Sequence, residues 1–244
     1  MKSPLSILMG FLLLVSGSVY AKDKFVFSGS LPRNSYQPII IIPLLTEAFR
    51  RNGHAFEFSQ LPAKRSLIES NSGRTDGEIH RVSDFHKVSN NQFPNLIRIE
   101  SKMLSVFISV FANKDLEIEN TSDLSGLIIA YKRGEANTRN LLTKRYPEKN
   151  IYPTNGNEVS FNVLMTGRVD ALIAESVRGN RLISSNSNYK NIIEIDHIQE
   201  LHIYSYIHRK HSDIGDKIAA TLETMKQDGT FARITAESIA LFNK

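Results

Sequence analysis

Apolar residues recur along this chain in two periods, and the period changes often. Phe25-Val26-Phe27, followed by Ser28-Gly29, predicts a short first strand ending in a loop. The next segment closes as a helix at Arg51-Asn52-Gly53. Four isoleucines lie between Pro38 and Pro43, so that helix starts either at Pro38 with a kink or near Pro43. Phe56-Glu57-Phe58 alternates as a strand does, and Pro62 opens a helix that runs through Leu67-Ile68 and stops near Ser72-Gly73. Residues 104–111 form an apolar run fit for a central strand. Ile128-Ile129-Ala130-Tyr131 is another, opened by Asp123-Leu124-Ser125-Gly126 and closed by the loop Arg133-Gly134-Glu135-Ala136-Asn137, which leads into a helix over 138–146. Asn157-Glu158-Val159 starts a further helix whose apolar face carries Phe161, Leu164 and Met165, and Thr166-Gly167 ends it before the strand-like Ala171-Leu172-Ile173-Ala174. Residues 192–195 and 201–207 are extended in pattern. Ser212 caps a last helix faced by Ile214, Ile218, Leu222 and Met225 and stopped by Asp228-Gly229. Alternation of strand and helix on this scale argues for parallel α/β sheets.

One frame occurs twice: GRTDGEI at 73–79 and GRVDALI at 167–173, offset by 94 positions (167 − 73). Each copy joins the end of a helix to the start of a strand. Glycine takes the left-handed conformation that ends a helix without a side-chain clash, and the aspartate is expected to bond nearby backbone N–H groups in the turn.

Composition narrows the compartment. The first 21 residues carry Lys2, an apolar run over residues 5–15 and Val19-Tyr20-Ala21, the pattern of a secretory signal cleaved after Ala21. No later stretch has the length of a membrane span, so stable membrane insertion is not expected. The chain has no cysteine, which excludes disulfides, thiolate metal sites, cysteine nucleophiles and a lipidated N-terminal cysteine. A free exported protein suits a bacterial periplasm, and the remaining 223 residues (244 − 21) make one large domain or two small lobes. The net charge of +5 becomes +4 once Lys2 is removed. Basic residues are interspersed with acidic ones and lack interleaved aromatics, so nucleic acid is not an expected partner. His202, His208 and His211 match no metal signature, and neither a metal nor a cofactor is expected.

Five stretches, LPAKRSLIESNSGRTDGEI, the apolar run over 104–113, DLSGLIIAYKRGEANT, VLMTGRVDALIAE and MKQDGTFARI, occur in an order that resembles the family 3 solute-binding proteins of bacterial ABC transporters, the periplasmic amino-acid-binding type. They span nearly the whole chain after the signal. The resemblance implies an α/β, two-lobed periplasmic-binding-protein-like fold (type II), each lobe a mixed sheet flanked by helices, with a ligand cleft between. Lobe 1 would comprise residues 22–108 and 204–244, and lobe 2 residues 109–203, inserted. Hinge segments are expected near 109–113 and 198–204. Such a protein, expected as a monomer, would close on a small polar or zwitterionic solute and dock on an ABC permease or on a membrane sensor.

In open parallel sheets ligands lie beyond the carboxyl ends of strands. Five residues past each repeated aspartate stand Arg81 and Glu175, opposite charges at matching places. Arg81 would hold a carboxylate through its planar fork, and Glu175 would receive an ammonium. The resemblance assigns the ammonium to Glu175 as well, and the carboxylate to the loop of Arg133, Gly134, Glu135 and Asn137. It also implies an arginine about a dozen residues after Asp76, where this chain has His86, Lys87 and Val88. Tyr36 could stack on a ligand, and Arg65 and Glu78 flank the first turn within reach of a cleft. No nucleophile elbow or phosphate-binding loop is present, so no enzyme activity is expected. The same fold also serves dehydratases of prephenate-like acids, for which Glu78 or Glu175 would be the proton donor.

Overall fold

The computed structural model describes residues 23–118 and 124–244; the signal at 1–21 and Asp123 lie outside the described residues. The first strand, β1 (Lys24–Gly29), leads into α1 (Tyr36–Arg51), β2 (Ala55–Gln60), α2 (Ala63–Asn71) and β3 (Gly77–Val82). Helix α1 begins before both prolines. Pro38 lies in its first turn, where a missing N–H costs nothing, and Pro43 is tolerated in the interior of a helix held by burial of Ile40, Ile41, Leu44, Leu45 and Phe49. A short α3 (Phe85–Val88) and β4 (Leu96–Arg98) follow, then the central β5 (Leu104–Asn113).

The second half repeats the theme with β6 (Ile129–Lys132), α4 (Ala136–Arg145), β7 (Ile151–Thr154), α5 (Asn157–Met165), β8 (Ala171–Glu175) and α6 (Ser176–Ser185). The two extended segments expected around 192–207 are one long strand, β9 (Ile192–His208), followed by α7 (Ser212–Gln227) and α8 (Thr230–Phe242). Ser212 is the first helical residue rather than the cap, a place taken by His211. Met165 is exposed, because the buried face of α5 is made by Ser160, Phe161 and Leu164.

Strands β2, β1 and β3 are mutually parallel, as are β7, β6 and β8, in agreement with the alternating pattern. Between the two sets run β9 and β5, antiparallel to their neighbours and to each other, so the strand order is β2-β1-β3-β9-β5-β8-β6-β7 with β4 on β9. The two sheets are therefore joined through a pair of long strands. One apolar core surrounds α1, β1 and α7, with Phe27, Phe49, Ile218 and Leu222 at its centre. Two others lie on either face of β6 and β8, around Val110 and Ile173 and around Phe111 and Phe161. Each large side chain buried in these cores contributes about 1.5–3 kcal/mol, which holds each half together separately.

Both copies of the repeated frame end their helix in the same hydrogen-bonded motif. Gly73 N–H donates to Ser70 and Arg74 N–H to Glu69; Gly167 N–H donates to Leu164 and Arg168 N–H to Val163. The glycines have φ of +77° and +67°, the left-handed region that favours them. The aspartates do something other than bond within the turn. Asp76 Oδ2 accepts from Val26 N–H (3.0 Å) while its own N–H donates to Val26 O (2.7 Å). Asp170 does the same with Ile128, at 2.7 and 2.9 Å. Each aspartate thus fastens its turn by two points to the parallel strand next door.

Candidate functional site

The carboxyl ends of β3 and β8 and the loop after β6 converge on a cavity of about 800 Å³ between the two halves. Its floor is Val106, Ile108, Leu201 and Ile203 of the crossing strands. One side is made by His80 and Arg81 of β3 with α2 and α3. The other is made by residues 134–138, Glu175 and Arg178.

Neighbouring residues of a regular strand point to opposite faces, yet His80 and Arg81 both line this cavity. The register of β3 against β9 shifts between Glu78 and Arg81, and this bulge brings both side chains to one side. Arg81 Nη2 donates to Glu78 Oε2 at 2.5 Å, and its guanidinium carbon lies 5.7 Å from the Phe85 ring centre. Glu78 is wholly buried behind it, and Ser66 and Ser28 hydroxyls donate to its Oε1. Burial pushes the Glu78 carboxyl upward from its ordinary range, against the opposing pull of Arg81 and the hydroxyls. His80 is buried in turn, its imidazole fitted into space that Gly29 leaves: a Cβ there would lie 2.9 Å from His80 Cε1. Burial first, then the charges of Arg81 and Arg178, lower its pKa to about 3, so it is neutral at neutral pH.

Glu175 is the last residue of β8 and is also buried. Its Oε2 lies 3.4 Å from Arg178 Nη2, and Arg178 Nη1 donates to Glu135 Oε1 at 3.1 Å. Burial raises the Glu175 pKa, Arg178 lowers it and Glu135 raises it. Three buried polar atoms on the residues lining this one cavity have no hydrogen-bond partner in the protein: His80 Nδ1, Arg81 Nε and Glu175 Oε1. Arg81 and Glu175 thus bring a guanidinium and a carboxyl to opposite sides of the cavity, while His80 Nδ1 is turned toward Gly29.

Arg81, Glu175, Gly134, Glu135 and Asn137 come together around this cavity. Tyr36 lines an adjoining cavity of about 190 Å³, shared with Glu175 and Arg178; burial and then the Glu175 charge raise its pKa. Arg133 lines a separate cavity of about 330 Å³ with Tyr131 and Arg139. Arg65 is exposed on α2, 3.6 Å from Glu69, and Glu78 lies behind Arg81 as described. His80 and Arg178 were not singled out from the sequence. Arg178 stands one helical turn beyond Glu175, a legible spacing, whereas His80 reaches the cavity only through the bulge.

No protein-family model matches the chain. It is 26% identical over 205 residues, 82% of this chain and 75% of the relative, to an uncharacterised protein of Shewanella oneidensis. Among solved structures it is similar to a histidine kinase sensor domain with similarity to periplasmic binding proteins (TM-score 0.71, 16% identity, 88% of this chain and 95% of that one). It is also similar to the arginine-, lysine-, histidine-binding protein ArtJ from Geobacillus stearothermophilus (TM-score 0.66, 14% identity, 89% and 95%). At these identities the likeness is one of fold, and the chain has the two-lobed fold of the periplasmic binding proteins.

Proposed function

We propose that this is an exported solute-binding protein of the family 3 type, which captures a small zwitterionic solute in the central cavity and closes around it. The observation that carries the reading is the placing of a guanidinium, Arg81, and a carboxyl, Glu175, on opposite sides of one cavity. Arg81 and the amides of residues 134–137, at the start of α4, take the solute's carboxylate. Glu175, flanked by Glu135, takes its ammonium. Lobe 1 is assigned to residues 22–108 and 204–244 and lobe 2 to 109–203, with the hinge in β5 and β9. Register shifts between Ile108 and Ser109 and between Val110 and Phe111 support bending there, because a bulge leaves a strand locally underpaired.

The closed form is read in the periplasm by a membrane partner, an ABC permease or a sensor kinase; the fold is similar to binders and to a kinase sensor domain alike. A native mass spectrum of freshly purified protein is expected to carry a small-molecule adduct that Arg81→Ala and Glu175→Ala lose. An adduct retained by both variants would remove the assigned site. The raised pKa of Glu175 favours one alternative, proton donation to a leaving hydroxyl by a dehydratase. Incubation with prephenate separates the two, since the binding reading expects no aromatic ultraviolet product.

A further inference from the structure

The solute-binding reading leaves the class of solute open, and the cavity walls narrow it. The titratable residues lining the cavity are Lys64, His80, Arg81, Glu135, Glu175 and Arg178, with Glu78 directly behind Arg81. His80 is neutral. Three cations (Lys64, Arg81, Arg178) line the cavity with two carboxyls (Glu135, Glu175), and a third, Glu78, lies behind Arg81, so the charges balance when all three carboxyls are ionised. Two of the carboxylates already share Arg178, at 3.4 and 3.1 Å, and the third is joined to Arg81. A solute with a second positive group would enter this partly desolvated space with no unengaged carboxylate to meet it, a costly arrangement.

The remaining wall is apolar. Leu67 and Ile68 of α2, Phe85 and Val88 of α3, and Phe93 beyond it line the lobe 1 side. Phe85 and Phe93 stack, with ring centres 5.9 Å apart and planes at 17°. Ile68 is 45% exposed, and among the large apolar side chains that are exposed in the described residues it is the one lining this cavity. Val88 is one of the three residues standing where an arginine was expected from the resemblance, so that part of the wall offers an apolar contact in place of a cation. A cavity of about 800 Å³ also leaves room beyond an ammonium and a carboxylate.

We infer that the solute is a zwitterion of zero net charge with a bulky apolar side chain, the charged ends held by Arg81 and Glu175 and the side chain seated on Ile68, Phe85 and Phe93. This rests on the solute-binding reading and deepens it. It separates the chain from binders of cationic amino acids, whose second positive group would meet Lys64 and Arg178 with every carboxylate already engaged.

The test is calorimetry on the ligand-stripped, refolded protein with phenylalanine, leucine, alanine, serine, arginine and glutamate. Refolding is verified by recovery of the circular dichroism spectrum and melting temperature of the protein as purified. Phenylalanine or leucine is expected to bind roughly 10- to 100-fold more tightly than alanine, the range set by burying one large apolar side chain. Arginine and glutamate are expected to bind more weakly than either. Ile68→Ser changes a half-exposed position and should leave the melting temperature near wild type. It is expected to weaken phenylalanine several-fold while leaving alanine unchanged. Equal affinity for alanine and phenylalanine, or no effect of Ile68→Ser on their ratio, overturns the apolar subsite while the solute-binding reading stands. Preference for arginine or glutamate overturns the charge balance and likewise leaves that reading in place. If none of the six binds to a protein that carried a small-molecule adduct as purified, the amino-acid-like class itself is overturned.

Discussion

The two Gly-Arg-x-Asp turns have the same backbone and different surroundings. Both end a helix on a left-handed glycine and fasten an aspartate to the next strand. In the first half, however, β9 crosses directly over the turn. Gly77 lies so close to it that a Cβ would come within 2.2 Å of Tyr206 O; the matching position in the second half is Ala171, buried without difficulty. Asp76 also meets His211 Nε2 at 2.9 Å and Lys210 Nζ at 3.4 Å, whereas Ile128 N–H is the side-chain partner described for Asp170. One local device thus serves two lobes, and the chain packed onto it decides which residues become indispensable.

The sharpest way to break this equivalence is Gly77→Ala, expected to cost more than about 3 kcal/mol in urea unfolding, because the obstacle is backbone. The converse, Ala171→Gly, should cost about 1 kcal/mol. A comparable cost for both would mean that β9 yields.

Two buried cavity residues, one from each half, should respond to pH in opposite directions. His80, in the first, has its pKa depressed from 6.5 to about 3, so its contribution is full above pH 6.5 and is lost as pH falls toward 3. Glu175, in the second, has its pKa raised, so its contribution is full below pH 4.5 and is lost as pH rises through the elevated value. Melting as a function of pH should show His80→Asn flattening the acid side, by about 2–3 kcal/mol at pH 4.5. Glu175→Gln should instead gain stability relative to wild type as pH rises to neutral.

Asp76→Ala is expected to cost about 1.5–3 kcal/mol and Asp170→Ala about 0.5–1.5 kcal/mol, since the first strands an N–H in a less exposed place and removes the contacts with Lys210 and His211. Equal losses in denaturant titrations would assign the whole effect to the strand clamp. Smaller again, Gly73→Ala and Gly167→Ala should each cost about 1 kcal/mol for the left-handed φ. Gly73→Ala should cost slightly more, because a Cβ there would approach the His208 ring at 3.3 Å while Gly167 faces open space. The smallest effect concerns contact between the lobes. Arg181 of α6 lies 4.3 Å over the ring of Phe242 in α8, which in turn packs on Tyr36. On the proposed solute-binding reading, Arg181→Ala should weaken binding about 2- to 5-fold by removing a contact worth about 0.5–1 kcal/mol between α6 and α8.

Much of this arrangement was legible along the chain. The strands at Phe25, Phe56, 104–111 and Ile129, the helix stops at Gly73, Gly167 and Gly229, and the placing of Arg81 and Glu175 beyond their turns follow from side-chain period and glycine conformation, which act over a few residues. Other features were not. The role of Ser212 shifted by one position because the cap is a matter of local dihedrals at His211. Glu78 and Arg65 read alike in sequence, as charges flanking a turn, yet one is sealed behind Arg81 and the other is open to solvent.

Period and turn chemistry, then, determined which segments extend, which coil, and where each reverses, because those preferences belong to each residue and its nearest neighbours. Tertiary structure decided the rest: the fusion of two sheets through β5 and β9, the bulge that turns His80 to the same side as Arg81, and the placing of Arg81 and Glu175 on opposite sides of one cavity. These depend on the approach of strands distant in sequence, where burial and close contact, absent from any local pattern, set both the geometry and the charge.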